Sequence, residues 1–316
     1  MRISVVICTR NRASVLRQAL QSVLECKKPE GLDSWEVIVV DNASSDDTPK
    51  LADEFRSRLP LRYVREEQPG LSNARNRGVQ AARGEWILWI DDDVTVGAEW
   101  LQAYVAAIAR FADANVLGGP IVIELEDDPP PWLSRGLEWV QDAYAGRAAA
   151  EFGDEFYSQG PKPYGANFGL CRAAALVVPF DKNLGRHPLR PTMSGEETEV
   201  IRELLRNGRG WWVPEAVVVH HIDGPRQTSD YLRRYFTSAG LMKARTWKDL
   251  PNEHRLRELA RAMMRAGGYG MKYACLCLLE DNGHRALALR NAAWNWGYIK
   301  GCMATLTGME ERRQYE

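Results

Sequence analysis

Along the first 125 residues, apolar and polar positions fall into two repeating kinds of block. Ile3 to Cys8, Trp35 to Val40, Leu61 to Val64, Trp86 to Ile90 and Val116 to Ile123 are mostly apolar runs of strand length, the pattern of strands buried on both faces. Between them, apolar residues recur at helical spacing. Val15, Leu16, Ala19, Leu20, Val23 and Leu24 form one stripe, with Asn11 and Ser14 as candidate caps. Asp46, Asp47 and Pro49 open a helix bearing Leu51, Phe55 and Leu59. Ser72 caps a segment through Ala82, and Trp100 to Phe111 is amphipathic. This alternation predicts an α/β fold, a mostly parallel central sheet with helices on both faces. Such sheets bind ligands beyond the carboxyl ends of their strands. Thr9-Arg10-Asn11, Asp41-Asn42-Ala43-Ser44 and Asp91-Asp92-Asp93 each follow a predicted strand, so three polar clusters converge on one rim.

The pattern then changes. Glu124 to Pro163 shows no clear period and carries isolated aromatics and several glycines. A loop this long is either a lid or acceptor-binding insertion, or a plain surface excursion. Gly165-Ala-Asn-Phe-Gly169 leads into a short apolar helix, and Thr192 to Glu199 opens another that runs through Leu205. Trp211 to Val219 reads as a last strand, ending on His220 and His221. Three helical segments follow, Ser229 to Trp247, Arg255 to Leu279 and Arg285 to Thr305.

Composition adds an asymmetry. The net charge of −1 conceals 16 Lys/Arg against 9 Asp/Glu from Arg226 onward, and 25 against 33 before it. A basic tail on an acidic body argues for an anionic surface or partner at that end. No nucleic-acid motif accompanies the charge, which disfavours nucleic acid as that partner. The six cysteines have no paired-ligand spacing and read as reduced, mostly packed thiols. Strand-like sequence from Arg2 leaves no room for a signal peptide. The apolar run Ala274 to Leu279 is far shorter than the ~20 residues of a spanning helix. A cytosol-facing protein is the expectation.

The strand Trp86 to Ile90 ends on three carboxylates, which repulsion and desolvation oppose unless something positive sits there. In an extended chain Asp91 and Asp93 share a side and Asp92 points elsewhere. A divalent cation site and an exposed acidic turn both fit that pattern.

Five stretches in order decide more than any one of them. They are Ser-Val-Val-Ile-Cys-Thr-Arg-Asn-Arg from Ser4, Val-Ile-Val-Val-Asp-Asn-Ala-Ser-Ser-Asp from Val37, Gly70-Leu-Ser-Asn-Ala-Arg-Asn-Arg-Gly78, Asp91-Asp-Asp93 and Gly195-Glu-Glu197. Over Met1 to Asp223 the chain resembles the family-2 glycosyltransferases, inverting enzymes of the GT-A fold. The resemblance implies a nucleotide-diphosphate-sugar donor, with a UDP-sugar favoured and GDP or dTDP as alternatives. It also implies a glycan, glycolipid or other hydroxyl acceptor. Thr9 and Asp41 match base and ribose contacts, with Arg10, Asn11 and Asn42 beside them. Arg75 matches a position near the base and diphosphate, against the alternative of a surface helix cation, the reading that suits Arg77. Asp91 matches the ribose-side carboxylate, Asp92 lies on the donor side without a stated role, and Asp93 matches the ligand of Mn²⁺ or Mg²⁺. In the family a His at this place can complete the metal shell or touch the diphosphate, which makes His220 the candidate and His221 the lesser one. His221 is also a candidate on the acceptor side, and the plain alternative for either is a satisfied core or surface residue. Glu197 matches the base that takes the acceptor's proton. The family has Asp there, so Glu196 stays open as an alternative. Asn167 matches an acceptor-side position.

The resemblance divides the chain into a catalytic domain over 1–225 and a helical extension over 226–316. Within the first, 1–123 binds the donor and 124–225 carries the acceptor and base side. The extension is either a membrane-surface anchor, with Trp294, Trp296 and Tyr298 at the interface, or a set of ordinary helices with a solvated basic face. Two competing functions remain. A sugar-phosphate nucleotidyltransferase needs a glycine-rich phosphate loop after the first strand, and Thr9-Arg10-Asn11-Arg12 has no glycine. A non-catalytic nucleotide- or glycan-binding module predicts a broken metal or base motif, and both keep their carboxylates.

Overall fold

The structure is a computed structural model that describes residues 1–29, 32–148, 155–156, 160–189, 194–278 and 282–307. Its contacts divide the chain into two compact units, Met1–Glu124 with Ala145–His221, and Leu125–Tyr144 with Ile222–Glu316.

The first unit is built on an eight-stranded sheet. Its strands are β1 (Arg2–Thr9), β2 (Ser34–Asp41), β3 (Leu61–Arg65), β4 (Trp86–Asp91), β6 (Ala114–Gly118), β8 (Glu155–Phe156), β9 (Asn167–Cys171) and β10 (Arg209–Trp212). Their order is β3-β2-β1-β4-β9-β6-β10-β8. The pairs β1–β2, β1–β4, β2–β3 and β6–β10 are parallel, while β9 runs antiparallel to β4 and β6. Alternate residues of each strand feed two cores, as the pleat requires. Val5, Ile7, Val37, Val39, Leu88 and Ile90 pack on α1 (Ala13–Glu25), α2 (Thr48–Phe55) and α4 (Trp100–Arg110). Val6, Ile38, Val40, Ile87 and Trp89 pack on α3 (Leu71–Ala81) and α8 (Glu196–Leu204). Each such side chain, fully buried, contributes about 1.5–3 kcal/mol. A second sheet has the order β5-β11-β7, from Val94–Val96, Val218–Ile222 and Ile121–Leu125.

Several local expectations change. Gly165 to Gly169 does not run straight into a helix, because Asn167 to Cys171 forms β9 and only then comes the four-residue α7 (Arg172–Ala175). The Asn and Gly in that run hide a strand that fills the gap between β4 and β6. Val116 to Ile123 is two strands in two sheets, broken at Gly119-Pro120, where proline has no N–H for a ladder. Trp211 to Val219 is likewise split, and the two histidines lie inside β11. Neither Asn11 nor Ser14 caps α1. Its first N–H, at Ala13, reaches the Asp46 carboxylate at 2.9 Å. Ser72 lies inside α3 and donates to the Leu184 carbonyl, leaving Gly70 as the cap at φ +125°. Cys275 and Cys277 are exposed rather than packed. Thr192, Met193 and Leu279 lie outside the described residues, as do 149–154 and 157–159 of the long excursion.

The second unit gathers α9 (Ser229–Ala244), α10 (Asn252–Cys277) and α11 (His284–Thr307) with the short helices α5 (Pro131–Ser134) and α6 (Leu137–Val140). The stretch 125–144 therefore packs with the C-terminal helices. α9 and α11 cross closely: a Cβ on Gly240 would stand 2.0 Å from the Trp294 carbonyl, and one on Gly297 1.9 Å from the Thr237 carbonyl. By contrast α10 buries only Ala262. Among the described residues no helix is long and apolar enough to cross a membrane.

Candidate active site

Strand register assembles the rim. Thr9 lies opposite Asp41 across β1–β2, and Cys8 opposite Asp91 across β1–β4, so the three carboxyl ends finish level. The Cys8 thiol sits among Asp91, Asp92, Glu196 and Arg75, and burial pushes it up to about 12. It is a packed thiol, not a nucleophile.

The extended backbone stops at Asp91, and a turn carries Asp92 and Asp93 into β5. The expected sharing of a side by Asp91 and Asp93 therefore does not occur, because strand alternation has ended. Asp92 and Asp93 instead face Arg12, with Nη1 at 2.5 Å from Asp92 Oδ1 and Nη2 at 3.1 Å from Asp93 Oδ2. Thr9 donates its hydroxyl to Asp92 Oδ2 at 2.7 Å. Asp92 and Asp93 are 5% and 4% exposed, which removes the exposed acidic turn. Burial raises Asp92 to about 6, against the pull of Arg12. Arg12 is thus the cation these carboxylates require, a role its place in a polar stretch of sequence does not single out. The need of three adjacent carboxylates for a positive partner, three residues past Thr9, was the signal that pointed to it.

His220 Nε2 stands 3.2 Å from Asp93 Oδ1, and both side chains are buried. The His221 ring turns to the Thr95 hydroxyl at 2.8 Å and to Glu124 at 3.3 Å. His221 meets Asp93 through its backbone N–H, which donates to the Asp93 carbonyl at 3.0 Å, so it is the His220 ring that faces the Asp93 carboxylate. Asp93 and His220 supply one oxygen and one nitrogen, a donor pair that suits Mn²⁺ well and Mg²⁺ less. Among the described residues no cluster of three or more His, Cys, Asp or Glu is poised for a metal. A two-residue holder fits a cation whose other positions are filled by diphosphate oxygens and water.

Asp41 is fully buried. Its Oδ1 accepts the Ser44 N–H at 2.8 Å, and its Oδ2 the Tyr63 hydroxyl at 2.6 Å and Arg65 Nη1 at 3.2 Å. Arg10 donates to the Asn42 carbonyl at 2.5 Å, and Asn11 accepts the Ser45 N–H at 2.7 Å. The Asn42 side chain accepts the Gly70 N–H and donates to the Gln68 carbonyl, both at 2.7 Å. These three residues fix the loops around Asp41 and the entry to α3.

Arg75 is no surface cation. It is 3% exposed, lies 5.7 Å from the ring centres of Phe168 and Phe180, and pairs with Glu196 Oε1 at 2.6 Å. Glu197 Oε2 and Asp91 Oδ1 lie farther from it, at 3.6 and 3.7 Å. Gly165 makes room for the guanidinium, since a Cβ there would come within 2.1 Å of Nη2. Glu196 and Glu197 open α8, where the helix N–H groups favour acids. Burial and the neighbouring Glu197 push Glu196 up to about 8, with Arg75 opposing. Its Oε2 is buried with no hydrogen-bond partner among the described residues.

Asn167 does not match its acceptor-side expectation. It is fully buried, accepts from Trp100 Nε1 at 3.0 Å and the Tyr104 hydroxyl at 2.9 Å, and donates to the Pro120 and Ala216 carbonyls at 3.0 and 2.7 Å. An amide so saturated is a core tie between the two sheets, with nothing left for a ligand.

Sheet order and acidic rim fit the GT-A fold expected from the sequence. The sequence profile described as Glycosyl transferase family 2 matches residues 4–169, and the chain belongs to that family. It is 25% identical over 240 residues to the Glucosyl-dolichyl phosphate glucuronosyltransferase of Haloferax volcanii, covering 73% of each chain. Among solved structures it is similar to S. aureus TarS 1–349 in complex with UDP-GlcNAc (TM-score 0.57, 17% identity, 98% of this chain and 92% of that one). It is also similar to the mannosyltransferase PcManGT from Pyrobaculum calidifontis in complex with GDP-Man and Mn²⁺ (TM-score 0.55, 18% identity, 97% and 75%).

Proposed function

We propose that this chain transfers a sugar, with inversion, from a nucleoside-diphosphate donor to the hydroxyl of a lipid-linked glycan acceptor. The observation that carries this reading is the asymmetry of two adjacent glutamates beside the acidic rim. Glu196 is held by Arg75 at 2.6 Å, and burial pushes it up to about 8, so it holds its proton to higher pH than an ordinary glutamate. Glu197, a full ångström farther from that guanidinium, is the carboxylate free to accept the hydroxyl proton as the oxygen attacks. Attack on the face opposite the departing diphosphate inverts the anomeric centre.

On the donor side Asp41, braced by Tyr63 and Arg65, recognises base or ribose, and Asp91 faces the ribose. Thr9 aligns Asp92, and Arg12 lies beside the diphosphate. Mn²⁺ or Mg²⁺ held by Asp93 and His220 would offset the charge that develops on the leaving group. The solved neighbours named with UDP-GlcNAc and with GDP-Man and Mn²⁺ support such a donor and metal, with a UDP-sugar favoured. The relative named for glucosyl-dolichyl phosphate supports a lipid-linked acceptor. The basic C-terminal helices would meet an anionic membrane surface, from the cytoplasmic side.

A donor-hydrolysis screen across UDP-, GDP- and dTDP-sugars tests this. One donor should be hydrolysed slowly with Mn²⁺ and not after chelation. With an acceptor, Glu197→Gln should lose about 10²–10⁴-fold in transfer, and Glu196→Gln far less. Turnover that survives chelation sinks the metal role, and full transfer by Glu197→Gln sinks the base.

A further inference from the structure

The second unit holds a cavity of about 540 Å³ that the catalytic chemistry does not use. Its wall combines Met263 and Gly267 of α10, Leu289, Ala293 and Trp296 of α11, and Arg233 of α9. The volume lies within the roughly 300–1,000 Å³ of small-molecule sites. The wall is mostly hydrocarbon, its polar groups confined to the side chains of Arg233, Thr237, Tyr273 and Trp296, so a glycan placed there would leave most of its hydroxyls without partners. The opening is equally apolar. Met263 is 58% and Trp296 52% exposed, and a Cβ on Gly267 would meet nothing within 4 Å.

Charge narrows the occupant further. α10 carries five Lys/Arg, α9 three and α11 three, against only Glu253, Glu258 and Asp230. At about 100° per residue, Arg257, Arg261, Arg265 and Lys272 fall on the side of α10 away from the cavity. The cations at the cavity itself are therefore Arg233 in its wall, Arg285 at 5.6 Å from the ring of the wall residue Tyr273, and Lys300. Met263, Met264, Met271 and Leu278, all exposed, fall on the adjoining side. Lys300 lies over the Trp296 ring at 5.4 Å, placing a cation beside the cavity wall. An apolar cavity in a cationic surround matches a ligand with a long hydrocarbon chain and an anionic head.

We propose that this cavity binds the hydrocarbon chain of a polyisoprenyl phosphate, with the phosphate among the surrounding Arg and Lys side chains. The biological ligand would be the lipid carrier of the acceptor, so its identity rests on the lipid-linked reading of the proposed function. The site stands on the helices of the second unit alone. The sequence hid it, because Gly267, Ala292 and Ala293 look like helix filler until three helices surround them.

The full chain is photolabelled with farnesyl phosphate bearing a diazirine on its chain. Labels should map to the α10 and α11 peptides that hold Met263, Leu289 and Trp296, and unlabelled farnesyl phosphate should suppress them while inorganic phosphate does not. Ala293→Trp, which fills the cavity, should weaken binding by at least about tenfold. Labelling concentrated on peptides of residues 1–124 or 145–221, competition by inorganic phosphate, or unchanged affinity in folded Ala293→Trp would each overturn the proposal. So would a dimer that Ala293→Trp dissolves, which would assign the face to a second copy. If Ala293→Trp fails to fold, the label map of the unaltered chain decides. Donor hydrolysis in the same preparations reports on the catalytic unit: its absence with labelling intact removes the transferase reading and leaves this site.

Discussion

Two arginines hold the acidic rim, and they hold it in different ways. Arg75 is 3% exposed at its side chain, walled by Phe168 and Phe180, and fitted against Gly165. Arg12 is 30% exposed and reaches in from the loop after β1 to span Asp92 and Asp93. A desolvated guanidinium among fixed partners is a permanent part of the fold, since nothing can replace its charge without rebuilding the core. A half-exposed one can swing into water, and the carboxylates it releases can take another cation. The first arginine therefore sets geometry, and the second marks where charge is exchanged.

The largest effect should come from breaking the permanent pair. Arg75→Met strips Glu196 Oε1 of its 2.6 Å donor and leaves the neighbouring Glu197 and Asp91 carboxylates without the cation they share. Losing one partner of a buried charge cluster costs about 3–5 kcal/mol. Urea unfolding should show that loss, and Mn²⁺ should not restore it. A loss below about 1 kcal/mol would mean that Arg75 is replaceable after all. Gly165→Ala probes the same point more gently. Its Cβ would stand 2.1 Å from Nη2 and 3.0 Å from Cζ, so the guanidinium must shift. Overpacking of this kind costs about 1–3 kcal/mol, and sugar transfer should fall because the α8 glutamates lose their anchor. Wild-type transfer in a folded Gly165→Ala would detach Arg75 from catalysis.

Arg12→Gln sharpens the other side. Without a divalent cation it leaves two buried carboxylates short of a partner, at a cost of about 1–3 kcal/mol. Mn²⁺ should return that stability, because Asp93 and His220 can hold it. A thermal-shift titration with Mn²⁺ reads the difference directly. Equal Mn²⁺ response in Arg12→Gln and Arg75→Met would erase the distinction between the two arginines.

Much of the first unit was legible because its strands bury both faces and so spell themselves as apolar runs. Ile3 to Cys8, Trp35 to Val40 and Trp86 to Ile90 need no context to be read as strands, and the rule for parallel sheets puts Thr9, Asp41 and Asp91 on one rim. What stayed hidden depends on distant partners. Asn167 looks like any polar residue near a glycine, and only Trp100, Tyr104, Pro120 and Ala216 make it a core tie. Arg12 and Arg77 are both arginines in polar stretches. Burial of Asp92 and Asp93 draws one of them in, while the other stays exposed. The strand β9 was masked by its own Asn and Gly, which carry little β preference. The turn at Asp92 and Asp93 defeated the alternation rule at the place where Arg12 draws both carboxylates together.

The smallest effect is also the sharpest test of the two adjacent glutamates. An unburied Glu side chain titrates near its ordinary value of 4.5, and in the folded protein Glu196 is pushed up to about 8. Below the lower value both folded and unfolded chains carry the proton, and the contribution of Glu196 to stability is whole. As pH rises between the two values, the unfolded chain gives up its proton while the folded one keeps it. Stability therefore falls with pH across that window, and the loss is complete as pH passes the folded value. Glu196→Gln has no proton to lose, so its stability should decline less from pH 5 to pH 8. Asp92, raised to about 6 by burial, slopes in the same direction but is common to both proteins and cancels in the difference. Urea midpoints of the two proteins at several pH values, in metal-free buffer, give that difference. Parallel curves would mean that Glu196 ionises near its ordinary value and is as able a base as its neighbour, leaving Glu197 without its claim to the acceptor's proton.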